Sequence, residues 1–243
     1  MFSKRLLPFI LLSLFLSSCA TSDLTLSESA EKDYYKAESL MAEEYYGRAN
    51  LYLGKFNAKY PYSRFATPAE LLQIKAAYLN DEFILSEIKS KRFLEAHPTH
   101  PERDYIEYIL GMSYFQQSES ENHEQVFSKK ARKAFEALLQ RSPDNAYASE
   151  VSDNLQLIIN RIAEHEMIIG KFYFDHEYYV GAANRFIVVK NDFLESDIAP
   201  ESLYWLAASY IELEQHDYAQ EVISTLAQQF SGNAWQKKAE NLM

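Results

Sequence analysis

The clearest pattern of apolar and polar positions lies near the end of the chain, between Ser202 and Phe230. Apolar residues recur there at three- and four-residue intervals in two segments, the periodicity of amphipathic helices. Small and aromatic residues fall at fixed offsets, at Ala207, Tyr210, Ala219, Ile223 and Leu226. Small residues facing each other would let two antiparallel helices cross closely, with the aromatic ring beside the crossing. The pattern therefore predicts a helical hairpin.

The same offsets recur four more times upstream, so the chain is predicted to be a repeat array. The predicted helix pairs are 29–41 with 43–59, 68–80 with 82–96, 102–117 with 123–141, 146–173 with 178–193, and the two segments of 202–230, followed by a capping helix over 235–242. The order of small and aromatic positions is that of tetratricopeptide repeats. We predict an all-α fold of five tetratricopeptide-like helix pairs stacked as a right-handed superhelix, an α-solenoid.

Two units depart from the pattern. In the second, Ser86 and Ser90 replace the expected alanine and aromatic residue. In the third, residues 118–125 (SESENHEQ) form an insertion of about eight residues between the paired helices. Such a loop either contacts a partner or is simply tolerated at the surface, and the sequence leaves both interpretations open.

Composition narrows the class of protein. The formal net charge is −11, which argues against a nucleic-acid partner. Glycine (6) and proline (7) are scarce among 243 residues, which disfavours an all-β fold with many tight turns. The single cysteine excludes a disulfide within the chain and a metal site built from several cysteines.

Residues 1–18 have the pattern of a secretory signal peptide. Lys4 and Arg5 precede an apolar run over 6–16 that is too short to cross a bilayer. The run ends in Leu-Ser-Ser-Cys, which resembles a bacterial lipobox, so Cys19 is predicted to be lipidated and to become the first mature residue. Several acyl chains on one cysteine anchor a protein stably. Ala20, in place of an aspartate, implies sorting to the outer membrane in such lipoproteins.

Residues 19–29 are predicted to be the lipidated cysteine and a polar tether. The nine residues 21–29 (TSDLTLSES) reach at most about 30 Å when extended. The folded body is therefore expected close to the periplasmic face of the outer membrane.

Two groups of titratable residues could suggest chemistry. His97 and His100 lie within HPTHP, but the two prolines fix a loop and no third ligand is near in sequence, so a rigid turn is a better interpretation than a metal site. Asp175, His176 and Glu177 fall at a predicted turn, where a solvated polar cluster is expected. The sequence contains no GxSxG, phosphate-binding glycine loop or HExxH. We predict a binding protein that is not an enzyme, without a metal or cofactor.

Tyrosine-rich positions on the predicted first helices suggest a binding groove, because in tetratricopeptide folds these positions face the concave side. The predicted groove residues are Tyr34, Leu71, Lys75, Tyr78, Tyr105, Tyr108 and Met112, with Glu38, Met41 and Phe115 at equivalent positions. Such a groove would be apolar and suited to an extended peptide with aromatic side chains, with Lys75 placed to meet a carboxylate. The other interpretation is that each aromatic ring packs against the neighbouring helix.

Three segments resemble the BamD family, the tetratricopeptide lipoproteins of the outer-membrane β-barrel assembly machinery. They are HPTHPERDYIEYILGMSYF (97–115), YYVGAANRF (178–186) and, more approximately, the turn at 64–68. The resemblance covers roughly residues 30–230. Two departures are Leu194, where the proline closing the fourth unit is missing, and 125–129, which lacks the longer loop of the family.

The resemblance implies a division of labour. Residues 30–144, with the first three units, would receive the carboxy-terminal targeting segment of unfolded outer-membrane barrel proteins. Residues 145–243, with the last two units and the capping helix, would dock on the periplasmic domains of BamA. Asn184 and Arg185 match the family's Asn-Arg pair, which implies that they lie at the BamA contact. Other Bam lipoproteins are implied as further partners.

An alternative function remains open at this point. A tetratricopeptide lipoprotein could serve other cell-envelope processes, such as peptidoglycan-linked ones, without a role in barrel assembly.

Overall fold

The computed structural model describes residues 24–118 and 125–243, which form eleven α-helices and no strand. The helices are α1 (Ala30–Ala42), α2 (Tyr46–Lys59), α3 (Ala66–Leu79), α4 (Phe83–Ala96), α5 (Arg103–Ser118), α6 (Val126–Arg141), α7 (Ala148–Asp175), α8 (Tyr179–Asp192), α9 (Ala199–Glu212), α10 (His216–Gln229) and α11 (Ala234–Glu240). Every predicted helix is present. The prediction of an all-α solenoid of five helix pairs is confirmed.

The helices stack in chain order, each packing on the next from α1 to α10, and α11 covers α9 and α10 at the end. The buried residues form four successive apolar clusters rather than a single centre. This distribution is typical of solenoids, in which each unit buries its apolar face only against its neighbours.

Two glycines show why small residues recur at the helix crossings. A Cβ atom added to Gly111 of α5 would lie 2.5 Å from the ring of Phe135 of α6. Gly170 of α7 meets the ring of Phe186 of α8 in the same way. Both rings are fully buried, so they have no space into which to move. A side chain at either glycine would force the paired helices apart.

The turns between paired helices place an acidic residue in the left-handed backbone region. These residues are Glu44, Asp81, Glu177 and Glu214, with φ between 58° and 61°. The next residue closes each turn: the N–H of Tyr45, for example, donates to the Leu40 carbonyl at 2.9 Å. This is the Schellman helix end, which satisfies carbonyls left free by the last helical turn. The turns fall at the same point of units one, two, four and five, and the third unit has its insertion there.

The spacing of the residues at which paired helices cross shows where the regular repeat array is interrupted. Positions 37, 74 and 111 are evenly spaced, and the same interval separates 170 from 207, but the interval from 111 to 170 is longer. The insertion in the third unit accounts for part of the excess. The rest lies in α7, whose 28 residues are twice the 14 of α8. The first half of α7 is thus an additional helix length between the third and fourth units.

Residues 24–29, which we call the N-terminal strap, pack against the first unit instead of forming a free tether. Leu24 and Leu26 join the apolar cluster of α1 and α2. The Lys55 ammonium donates to the Leu24 carbonyl at 3.3 Å, and Lys59 donates to the Ser27 carbonyl at 2.8 Å. Residues 19–23 of the predicted tether precede the described residues.

Asp33 holds the strap in place from within α1. Its side chain is 2% exposed and accepts hydrogen bonds from the Ser27 N–H at 2.9 Å, the Tyr52 hydroxyl at 2.8 Å and the Tyr60 hydroxyl at 3.0 Å. Burial by itself would raise the pKa of this carboxyl, but the hydrogen bonds together hold the pKa of Asp33 below its ordinary value of 3.8. The strap is therefore fixed by a buried carboxylate.

Candidate functional site

Several of the predicted groove tyrosines converge where α3, α5 and α7 meet. The ring of Tyr108 stacks on that of Tyr147, with centroids 4.4 Å apart and planes 13° apart. The Tyr108 hydroxyl donates to Glu150 at 2.7 Å, and the ring of Tyr105 lies 5.8 Å from that of Tyr147. Tyr147 immediately precedes α7, and Glu150 lies in its first turn. The additional length of α7 therefore forms one side of this site.

The residues from α3 complete the same surface. Leu71 and Tyr78 are half-buried and pack, with Tyr105 and Tyr108, on the apolar cluster between α3 and α5. Lys75 is exposed, and its ammonium forms no hydrogen bond or ion pair with the residues that the structure describes. We call the set of Leu71, Lys75, Tyr78, Tyr105, Tyr108 and Tyr147 the tyrosine surface.

Burial sets the protonation state of these tyrosines. It raises the pKa of Tyr105 to about 12 and raises the pKa of Tyr78 and Tyr147 as well. The pKa of Tyr108 is raised by burial and further by the Glu150 carboxylate, which accepts its proton in a hydrogen bond. The tyrosine surface therefore carries neutral phenols beside one lysine and one carboxylate.

Met112, another predicted groove residue, does not face solvent. It is buried together with Phe115, and the Asn154 amide of α7 donates to its sulfur at 3.3 Å. The first half of α7 covers this part of α5, so Met112 lies beneath the tyrosine surface. Tyr147, Glu150 and Asn154 were not predicted as site residues. The available signal was the excess length of the helix predicted over 146–173.

Tyr34 lies in a different aromatic cluster, in the first unit. Its ring stacks on Phe65 with centroids 5.1 Å apart, and its edge meets Phe56 at 6.5 Å. Burial, with the nearby Glu38 carboxylate, raises the pKa of Tyr34 to about 12. The structure thus brings together the groove residues of the second and third units and places Tyr34 apart from them.

Asn184 and Arg185 lie on α8 at a second surface. Asn184 is exposed, whereas the Arg185 guanidinium donates to Glu166 of α7 at 3.1 Å. The Arg185 side chain is 41% exposed and that of Glu166 only 10%. A shallow depression of about 380 Å³ is lined by Tyr173, Gly181, Asn184, Arg185 and Val188, and we call it the α7–α8 surface. Glu166 was not predicted, although an acidic residue four positions after Ile162 on the apolar side of α7 is a signal in the sequence.

The motif at 97–115 has a structural role that the sequence did not reveal. Arg103 donates to Glu107 at 2.8 Å and to the Pro98 carbonyl, which fixes the turn into α5. Arg141, at the end of α6, donates to both Asp104 and Glu107 at 2.5 Å. These charged side chains tie the start of α5 to the end of α6.

The histidines of the same motif have protein partners. His97 Nε2 lies 3.4 Å from Glu70, and His100 Nδ1 accepts a hydrogen bond from the Glu102 N–H at 3.1 Å. Across residues 24–118 and 125–243, no group of three or more His, Cys, Asp and Glu side chains could hold a metal ion.

The N-terminal predictions fall outside the described residues. Cys19 and the signal segment precede residue 24, and most of the 118–125 insertion is likewise not described. Among the helices that are described, none has both the length and the apolar composition needed to cross a bilayer.

The stacked helix pairs define a helical-repeat protein of the tetratricopeptide type. A family model for the outer membrane lipoprotein family YfiO matches residues 27–226, which is most of the chain. The chain belongs to this family.

Curated relatives agree with the family match. The chain is 27% identical to the outer membrane protein assembly factor BamD of Neisseria gonorrhoeae, over 96% of each chain. It is 27% identical to BamD of Rickettsia prowazekii, over 86% of this chain and 84% of the relative. It is 25% identical to BamD of Vibrio cholerae, over 86% of this chain and 91% of the relative. The predicted relationship to the BamD family is confirmed. Among solved structures, MamA of Desulfovibrio magneticus RS-1 matches over 86% of this chain and 99% of its own. The sequence identity of 13% and the TM-score of 0.42 are too low to support further argument.

Proposed function

We propose that this protein is a non-enzymatic scaffold for outer-membrane protein assembly, anchored by lipid on Cys19 to the periplasmic face of the outer membrane. In this proposal the first three units recognise unfolded barrel proteins and the last two bind BamA. The observation that carries the proposal is the family match over the whole repeat array, joined to relatives that are named outer membrane protein assembly factors. Other Bam lipoproteins would be additional partners.

The tyrosine surface supports the recognition of an unfolded polypeptide. Half-buried phenol rings offer large apolar contact area at low cost in side-chain entropy, together with hydroxyl donors. Lys75 lies between Leu71 and Tyr78 on one face of α3 and has no acidic partner among the described residues, so it is available to a peptide carboxylate. An extended segment ending in an aromatic residue and a free carboxylate fits these groups.

Site-specific crosslinking tests this assignment. A photoreactive amino acid at Lys75, which leaves the Tyr108–Tyr147 stack intact, should capture a peptide copying the last strand of an outer-membrane barrel protein. The matched control carries the same group at Tyr218 of α10, which is also well exposed. Capture only at position 218, or equally at both positions, would refute recognition by the first three units.

The α7–α8 surface supports docking of a folded partner. The exposed side chain of Val180 lies on the same helix as Asn184 and Arg185, and that of Tyr178 lies just before its start. Because Arg185 is partly exposed, its guanidinium can donate to a partner while it also neutralises Glu166. The charge on Arg185 therefore has both a structural role and a proposed binding role.

This dual role decides which variant tests the contact. Reversing the charge with Arg185→Glu would place two carboxylates together and disturb the packing of α7 on α8. The double variant Glu166→Gln, Arg185→Ala removes the guanidinium without leaving a buried charge. It should reduce co-purification with BamA while the helical circular dichroism stays unchanged.

Two controls complete the docking experiment. Glu166→Gln alone keeps the guanidinium and should retain BamA. Lys190→Ala changes another cation of α8 that pairs with Glu221 of α10, and it should also retain BamA. Undiminished co-purification of the double variant would refute the role of Arg185.

Depletion in cells separates this function from another cell-envelope role. Loss of outer-membrane barrel proteins on depletion supports assembly. A cell-wall or division defect with normal barrel levels would point to the peptidoglycan-linked alternative.

A further inference from the structure

The docked strap fixes where the chain leaves the folded body. The carbonyl of its first described residue, Leu24, accepts a hydrogen bond from Lys55, in the second half of α2. Cys19 precedes Leu24 by five positions, and five residues span at most about 17 Å when fully extended. An acyl anchor on Cys19 would therefore hold α2 next to the membrane.

The outer face of α2 has the composition of a surface that contacts lipid. Arg48, Leu51, Lys55 and Lys59 follow one another at helical spacing, and α2 contains no Asp or Glu. Leu51 is 61% exposed although it is a large apolar residue. Glu28 of the strap pairs with Lys59 at 3.2 Å and offsets its charge, which leaves Arg48 and Lys55 as the basic groups of the face.

Exposed tyrosines flank this face at both ends. Tyr45 precedes α2 and is half exposed, and Tyr62, just after the helix, is fully exposed. Tyrosine is enriched at the level of lipid head groups, where its ring is apolar and its hydroxyl is hydrated. Loss of Lys4 and Arg5 with the signal peptide makes the lipidated protein still more acidic than the full chain, whose net charge is −11, so beside an anionic leaflet it will turn its basic face toward the lipid.

We propose that the outer face of α2 rests on the phospholipid surface, with Arg48 and Lys55 at the head groups and Leu51 in the interfacial layer. This inference rests on the lipid anchor of the proposed function. Its consequence is that the first unit faces the membrane in a fixed orientation, instead of swinging on a flexible tether.

A fluorescent label at a single position tests the orientation. The lipidated full-length protein is placed in vesicles of phosphatidylethanolamine and phosphatidylglycerol that contain a nitroxide quencher at the head groups, and a bimane label is attached at L51C. The matched control is I88C: Ile88 is 57% exposed and occupies the equivalent position of α4 in the second unit. A helix face that contacts lipid lies within the head-group layer, where the quencher is. Quenching of the bimane label should therefore be at least roughly twofold stronger at position 51 than at position 88.

The outcomes separate this inference from the anchor on which it rests. If the wild-type protein fails to float with the vesicles, the anchor fails and the orientation fails with it. If the protein floats but both labels are quenched equally, only the orientation is refuted. Greater quenching at position 51 that grows with the phosphatidylglycerol fraction supports the proposal, and an effect independent of that fraction would refute the role of Arg48 and Lys55.

Discussion

Gly111 offers a direct test of why small residues lie at the helix crossings. On an isolated helix, Gly111→Ala would stabilise by about 1 kcal/mol, because alanine is the better helix former. In the fold, the added Cβ would lie 2.5 Å from the ring of Phe135, whereas carbon atoms pack at about 3.5–4.0 Å. Overpacking of this kind costs about 1–3 kcal/mol, and here we expect the upper end because Phe135 is fully buried. We therefore expect Gly111→Ala to lower the free energy of unfolding by about 2 kcal/mol, because the clash outweighs the gain in helix propensity.

Thermal unfolding followed by circular dichroism measures this loss. For a chain of this size, 1 kcal/mol corresponds to about 2–4 °C, so the midpoint should fall by about 4–8 °C. Because repeat arrays can unfold in parts, amide exchange in α5 and α6 should accelerate more than in α1 and α2. The control is Gly54→Ala of α2, whose Cβ would meet only the Gln73 amide, at 3.3 Å. Because Gln73 is buried and its amide donates to Asn50, it can yield only a little, so the midpoint should fall far less than for Gly111→Ala.

A double variant identifies the cause. Phe135→Leu removes the ring atoms that the new methyl group meets, so Gly111→Ala should cost much less in that background than in the wild type. If Gly111→Ala is as stable as the wild-type protein, or if its cost is unchanged beside Phe135→Leu, contact with the ring does not determine the crossing distance and the reasoning is wrong.

Two further predictions concern the strap and the tyrosine surface. Since the folded-state pKa of Asp33 is lowered, the contribution of this carboxylate to stability is present above about pH 4 and is lost as the pH falls through the folded-state pKa. Asp33→Asn should therefore speed exchange of the Ser27 amide at pH 7 and flatten the acid dependence of the free energy of unfolding. Wild-type exchange rates in the variant would show that the strap does not depend on the carboxylate. Tyr108→Phe keeps the stack on Tyr147 but removes the hydrogen bond to Glu150. The free energy of unfolding, measured in urea, should therefore fall by about 1 kcal/mol. An unchanged free energy of unfolding would mean that the hydrogen bond adds nothing to stability.

The repeat frame could be predicted because it depends on local rules. Helix periodicity, the small residue at each crossing and the prolines after several second helices are all encoded within about 40 residues of each other. The Gly111–Phe135 and Gly170–Phe186 contacts are consequences of this pattern. Recognition of the BamD family came from short motifs, although much of the motif at 97–115 proves to be structural.

The sites were less predictable because exposure depends on the neighbouring units. Leu71, Tyr78, Tyr105 and Tyr108 do gather on one surface, as their shared repeat positions suggested. Met112 has an equivalent position but is buried. The difference arises from α7, whose first half has no counterpart in a regular repeat and lies across the third unit.

The sequence by itself determined the number of helix pairs, their approximate bounds and the residues at which the helices of a pair cross, since these follow from short-range periodicity and steric fit. Only the tertiary structure decided which side chains meet across units, such as Tyr108 with Glu150 and Lys190 with Glu221. Such contacts depend on how stacked units are placed relative to one another. Small differences in helix length change that placement, and with it the surfaces available to partners.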